Sequence, residues 1–377
     1  MSTDHLTSGT ESPTSPQRRR FPWGIAWLVA AAACIAVIAH HARSGAVSPR
    51  IRNPEVVGTP RPVDFLFGFD HWIELWQIFT IFSVPALLIV CIIAWRRNPA
   101  SPIVMMAAIT TFIVWQDPYM NWAPYAVYNP ELWHWPEDWP WVSLSPTVEP
   151  FVVIGYVMFQ FGPYFPAVWI LRKLQSRNEV DAFVWRHPLL TLGSLIFVIG
   201  FLFDMVLELT LVRTGLYIYS QVIPFGSIFT GTTFQFPLLW ESVMVTFVMV
   251  PAGILVYRDD TGRTVAEKLA HRSRLFLSRP RLGMLVVMFV IINVAYFAYG
   301  LGFTLIRVSG AATSVACPWP YPEAKVYDPQ GYYEENGAQG PFAVGIMSTW
   351  MSGQPDGRPD VVPGSRSNRC APEENNG

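Results

Sequence analysis

Seven apolar runs dominate this chain, at residues 21–39, 72–95, 102–115, 150–170, 188–212, 236–257 and 282–306. A helix needs roughly 20 mostly apolar residues to cross a bilayer, and only the third run falls clearly short. Inside lipid every backbone polar group must be satisfied within the chain, so such runs are expected to be helices. Composition agrees: 51% of residues are hydrophobic and 14% charged, against about 25% charged in a soluble protein. The expected fold is all-α, a polytopic helical membrane protein with about seven transmembrane helices and an aromatic-rich outer loop. The expected domains are a disordered, Ser/Thr/Pro-rich tail over 1–20, a transmembrane domain over 21–306 and a mostly irregular tail over 307–377. A net charge of −1 gives no electrostatic case for nucleic acid.

Basic residues set the orientation. With the N-terminus cytoplasmic, the cytoplasmic segments hold sixteen Lys and Arg and the opposite side ten, spread over longer loops and a longer tail. The consistent solution is a multi-pass protein of the cell membrane, N-terminus cytoplasmic and C-terminus extracytoplasmic. Cys317 and Cys370 lie in that tail and are able to pair on an oxidising side, while Cys34 and Cys91 fall inside apolar runs. No CxxC, Cys/His cluster, haem His pair or HEXXH is present, so no metal and no cofactor is expected.

The loop after the third run, VWQDPYMNWAPYAVYNPELWHWPEDWPW (114–141), has six Trp, three Tyr and four carboxylates but no Lys or Arg. Interfacial anchoring accounts for the rings and the positive-inside rule for the missing bases. Neither accounts for the acids. A carboxylate within a span costs about 2.5–3.5 kcal/mol on insertion scales and is a functional-site hypothesis by default. Glu74, Asp117, Glu149, Asp204, Glu208 and Glu241 all fall in the outer half of the predicted bundle. Asp204 and Glu208, one helical turn apart, share a face. Two carboxylates so close repel each other, so one holds its proton and the pair supplies both an acid and a base. Arg213 offers the other reading, a structural ion pair. His71, His134 and His187 sit near span ends, where packing is their expected role. Asn293 is expected to join helices, and Asp259-Asp260 to make a turn and a helix cap.

Several stretches together resemble one family. WQDPYMNW (115–122), YN (128–129), DMVLELTLVRTGLYIY (204–219), FQFPLLWES (234–242) and YRDDTGRTVAEK (257–268) are similar, in order and spacing, to motifs of the AveC-type spirocyclases. These are integral membrane proteins of bacterial polyketide biosynthesis. The resemblance covers about residues 96–269, and Trp122 fills an aromatic position more often Tyr in the family. It implies spiroketal formation from a lipophilic ketone-diol with loss of water, in some members with dehydration as well. It further implies acid/base roles for Asp117, Asp204 and Glu208, and Glu241 as a further carboxylate. Trp115, Tyr119, Asn121, Trp122, Tyr128, Asn129, Arg213 and Tyr217 would bind substrate or orient a carboxylate. The expected partners are that small molecule and membrane lipid. Two rival readings are a proton-coupled exporter of a lipid or polyketide and a non-catalytic membrane partner subunit.

Overall fold

The computed structural model describes residues 66–99, 101–136, 139, 141–272 and 276–316, together with Val29, Ala32, Ala33 and Ala36. The chain divides into two compact units, Met1–Gly45 and Ala46–Gly377. The first is described only at those four helical residues, so the expected span over 21–39 lies almost wholly outside the described residues. Cys34, Cys317, Cys370 and both expected tails lie outside them as well, apart from the start of the C-terminal one.

Among the described residues, where six of the seven expected spans fall, five helices are long and apolar enough to cross a membrane. They are α1 (Trp72–Arg97), α2 (Pro102–Phe112) continuing through a 3-10 turn (Ile113–Gln116) into α3 (Asp117–Trp122), α5 (Pro188–Arg213), α6 (Leu238–Val256) and α8 (Pro280–Val308). Two more helices matter, α4 (Tyr164–Gln175) and α7 (Val265–Arg272). The expected fourth span is a 3-10 segment (Phe151–Met158) followed by turns and then α4. Gly162-Pro163 explains the break, since Pro has no N–H to continue a helix and its ring crowds the preceding turn. The two pieces rise about 16 and about 18 Å, enough end to end for a hydrocarbon core of about 30 Å.

α1 shows why these helices belong in lipid. It is apolar all round, yet only Ile73 is buried; Phe79, Phe82, Ile89 and Val90 are exposed. Such a helix needs either a protein core or a membrane around it. The packed centre instead lies between α5, α6 and α8. On α5 the buried residues Leu192, Ile196, Gly200, Asp204 and Glu208 recur every fourth position, one continuous stripe. Gly200 lets α6 approach, for a Cβ there would meet Met249 Sδ at 2.7 Å.

α5 ends in a Schellman motif. Gly215 has φ +74, its N–H donates to Val212 O, and Leu216 N–H donates to Leu211 O. Gly alone takes that backbone without a Cβ penalty. The motif turns the chain back into β2 (Tyr217–Tyr219), antiparallel to β1 (Ala126–Tyr128) with Tyr128 opposite Tyr217. A second short pair joins β3 (Gln221–Val222) to β4 (Ser314–Val315). At the other end, Thr264 and Glu267 exchange hydrogen bonds as a capping box for α7. The cap expected at Asp259-Asp260 therefore belongs to Thr264, while Asp259 makes the turn by accepting from Thr261.

Candidate active site

Pro118 shapes the first wall. It has no N–H to give Val114 O, and the Asp117 N–H bonds that carbonyl instead in a tighter 3-10 turn. The helix restarts as α3 with Asp117 in its first turn. Asp117 and Asn121, four apart, share one face. Asn121 Nδ2 donates at 2.9 Å to Asp117 Oδ2 and at 2.9 Å to Glu149 Oε2, tying two carboxylates with one amide. Ser145 Oγ donates to Glu149 Oε2 at 2.6 Å, and Tyr296 Oη reaches Asp117 Oδ1 at 3.4 Å. Burial, and then the charge of Asp117, push the Glu149 carboxyl well above the usual carboxylate range. Of the two, Glu149 is the one that burial and its neighbour's charge favour as the neutral acid.

The aromatic loop holds Glu149 in place. Trp135 N–H donates to Glu149 O, Phe151 N–H donates to Trp133 O, and Trp135 packs edge-on to Phe151. Thr147 Oγ1 donates to Tyr128 O at 2.6 Å, which ties the same loop to β1.

The second group combines α5, α6 and β2. Strand alternation places Tyr217 and Tyr219 on one face, and both hydroxyls donate to Glu208 Oε2. Tyr219 is held well above its ordinary range by burial and by the Glu208 charge, so its hydroxyl stays a donor. Glu241 stands in the first turn of α6, just after Pro237, and accepts from the Tyr299 hydroxyl of α8. Asp204 is buried one turn before Glu208. None of the five carboxylates Asp117, Glu149, Asp204, Glu208 and Glu241 is more than 8% exposed.

Both groups meet at one cavity. Its walls include Asp117, Asn121, Gln160, Glu208 and Glu241 with the rings of Tyr128, Tyr217, Tyr219, Tyr296 and Tyr299. The interior is about 80 Å³, far smaller than the roughly 300–1,000 Å³ of ordinary ligand pockets. Asp204 and Glu149 are not among its walls.

Of the residues the motifs single out, Asp117, Asn121, Tyr128, Glu208, Tyr217 and Glu241 line this cavity; Trp115, Tyr119, Trp122, Asn129 and Arg213 do not. The Trp115 indole donates to Asn293 Oδ1, which confirms Asn293 as a helix-joining residue. The Tyr119 hydroxyl pairs with Thr304 Oγ1 at 3.1 Å. Trp122 carries the Arg307 guanidinium over its ring. Asn129 braces the turn, with its Oδ1 accepting from Glu131 N–H. Arg213 stacks on Phe234 at 4.1 Å, and among the described residues it pairs with no carboxylate. Glu74 lies apart, exposed beside His71. Gln160, Tyr219, Tyr296 and Tyr299 are cavity residues that the motif reading passed over.

Residues 95–327, more than half of the chain, match the family model of the AveC-like spirocyclases. The chain belongs to this family. The match runs past Leu269 through α8, so it takes in Tyr296 and Tyr299. No curated protein matches the chain, and no solved structure does. Membership of the AveC-like family, with several membrane-length apolar helices, points to a cyclase- or dehydratase-type role in polyketide biosynthesis within a membrane.

Proposed function

We propose that this chain is a membrane-embedded cyclase that closes a lipophilic ketone-diol into a spiroketal with loss of one water. The observation that carries the reading is the convergence of two buried carboxylate groups, from different helices, on one tyrosine-lined cavity. One hydroxyl adds to the ketone to give a hemiketal. Asp117, supplied with a proton by Glu149, protonates the hemiketal hydroxyl, whose C–O bond breaks to release water. The resulting oxocarbenium ion is steadied by Glu208 and Glu241 and by the tyrosine faces. The second hydroxyl attacks that carbon and gives its proton to Glu208. Separate acid and carboxylate roles in one dry site follow glycosidase logic. Elimination of a neighbouring proton from the same cation yields a dehydrated product instead.

The cavity, about 80 Å³, is far smaller than a ligand pocket of roughly 300–1,000 Å³, so substrate entry opens the surrounding helices, and a lipophilic precursor reaches it from the bilayer. The N-terminus is placed in the cytoplasm and the site toward the outer leaflet on the strength of the Lys/Arg distribution.

The test uses membranes carrying wild type, Asp117→Asn or Glu208→Gln at equal expression, supplied with a ketone-diol and followed by mass spectrometry for loss of 18 mass units, the water (~18 Da) of the reaction above. Conversion by wild type and by neither variant is the expected result. Equal conversion by all three would remove the carboxylates from the mechanism, and accumulation of unchanged substrate across the membrane would favour an exporter.

A further inference from the structure

We propose that Asp204, Glu208 and Glu241 together bind a divalent cation of the hard, oxygen-preferring class, Ca²⁺ or Mn²⁺, at the edge of the cavity. One carboxylate oxygen from each lies within 4.8 Å of the other two. Two of the residues come from successive turns of α5 and the third from the first turn of α6, so helix packing brings them together.

A cluster of acids proves nothing by itself, but these acids are left unsatisfied. Both oxygens of Asp204, which is fully buried, and Glu241 Oε2 have no hydrogen-bond partner. The fully buried Ser242 hydroxyl is a polar neighbour of Asp204. A buried polar group with no partner is expensive, and a carboxylate most of all. Three carboxylates this close require either protons or a cation between them. The unpartnered oxygens of Asp204 and Glu241 are the positions a cation would take. Among the described residues no Lys or Arg forms an ion pair with the three acids, since Arg213 is turned onto Phe234.

The surrounding hydroxyls have the arrangement that metal ligands require. Metal-bound carboxylates are themselves held by outer hydrogen bonds. Tyr217 and Tyr219 both hold Glu208 by Oε2, and Tyr299 holds Glu241 by Oε1, leaving Glu241 Oε2 and the whole Asp204 carboxylate to bind. An all-oxygen donor set with no His or Cys selects Mg²⁺, Ca²⁺ or Mn²⁺. Ca²⁺, at about 2.3–2.6 Å and flexible in its geometry, tolerates a preformed protein site better than Mg²⁺, which demands near-ideal octahedral geometry at about 2.0–2.1 Å and keeps its waters. Glu208 and Glu241 face the cavity and Asp204 does not, so the cation has protein on one side and open positions on the other. A cation there polarises a ketone or leaving hydroxyl oxygen. The inference shares its cavity with the proposed cyclase but does not depend on that activity.

The experiment uses the full chain purified in detergent, stripped with EDTA and titrated with Mn²⁺, with free Mn²⁺ read by electron paramagnetic resonance and Ca²⁺ used as competitor. One saturable Mn²⁺ per chain, displaced by Ca²⁺, is expected. Asp204→Asn and Glu241→Gln, each checked for fold by circular dichroism and gel filtration, weaken binding by at least the roughly 10–100-fold that outer partners of a metal contribute. Asp117→Asn leaves binding unchanged. The absence of saturable binding to folded wild-type protein at millimolar Mn²⁺ overturns the proposal, as does equal weakening by Asp117→Asn. Ketone-diol conversion that persists in EDTA-stripped, Mn²⁺-free protein supports the cyclase reading and gives the cation no part in it. A bound cation in a protein that converts no ketone-diol supports the cation site and counts against the cyclase reading.

Discussion

Replacing Asn121 by Leu keeps the branched shape of the side chain and removes the amide that joins the two carboxylates of the first group. Asn121 makes two bonds, each 2.9 Å, to Asp117 and to Glu149. With one proton shared by the pair, one bond meets a charged oxygen, worth about 1.5–3 kcal/mol, and the other a neutral acid, worth about 0.5–1.5 kcal/mol. Glu149 keeps Ser145 at 2.6 Å. Asp117 keeps the 3.4 Å contact with Tyr296 and its link to Glu149, but loses the amide that fixes its second oxygen. The summed loss is about 2–4.5 kcal/mol, and at about 1.36 kcal/mol per decade this lowers turnover by roughly 30- to 2,000-fold. The assay is ketone-diol conversion per mole of folded protein in membranes. Asn129→Leu is the control, because Asn129 is as deeply buried but lies away from the cavity. That change lowers the yield of folded protein and spares conversion per molecule. Turnover of Asn121→Leu within threefold of wild type, or equal damage from Asn129→Leu, would refute the reasoning.

Glu149 binds its proton more tightly folded than unfolded, so its contribution to stability is complete below the unfolded value of about 4.3 and is lost as pH rises through the raised folded value. Glu149→Gln keeps the neutral form and should flatten the alkaline side of a thermal-stability profile in detergent; an unchanged slope counts against Glu149 as the neutral acid. Gly215→Ala forces a Cβ into the left-handed turn at φ +74 and should cost about 1–2 kcal/mol. Because β2 is displaced with it, turnover should drop as well as the unfolding midpoint. Gly300→Val places a Cβ 2.5 Å from Tyr119 Cε1 and 2.7 Å from Met120 Sδ. Overpacking of about 1–3 kcal/mol should lower the unfolding midpoint, and an unshifted midpoint would contradict the α3–α8 packing.

The sequence already showed which residues carry charge inside an apolar chain, and it showed some of the local geometry. RTG (213–215) spells a helix stop, and TVAE (264–267) spells a capping box, though the cap was sought at the neighbouring aspartates. Gly162-Pro163 marks the break in the expected fourth span, but an apolar run of the right length hides it. Direction was harder to read. Within WQDPYMNW, Asp117 and Asn121 face the cavity because they are one turn apart. Tyr119 and Trp122, at intermediate angles, turn toward α8. A motif states adjacency along the chain, and the helical period then sends its residues to different neighbours. Tyr296 and Tyr299 were unreadable for a different reason. On an apolar helix a tyrosine looks like packing until an acid from another helix meets its hydroxyl. The Asp204–Glu208–Glu241 group combines the two problems, since its third member comes from another helix and metal sites are ordinarily sought as Cys and His spacings.

The absence of Lys and Arg from 114–141 acquires a second physical meaning once Glu149 is located. The loop folds over Glu149 by the Trp133–Phe151 and Trp135–Glu149 backbone bonds, so any basic side chain reaching inward from it would lie close to the first carboxylate group. A cation there would favour the ionised form of Glu149 and lower its affinity for the proton. Rings exclude water, which strengthens each remaining interaction of the buried acids, and they bring no charge that would take the proton away. The prediction is directional. Activity that needs the Glu149 proton is lost as pH rises through the folded value, so a lowered value brings that loss on earlier. A Lys introduced at Trp135, whose ring packs on Phe151, should therefore move the alkaline loss of activity to lower pH. The same Lys at Trp133, half exposed at the rim, should leave the profile in place. If both substitutions act alike on the pH profile, the loop is only an interfacial anchor.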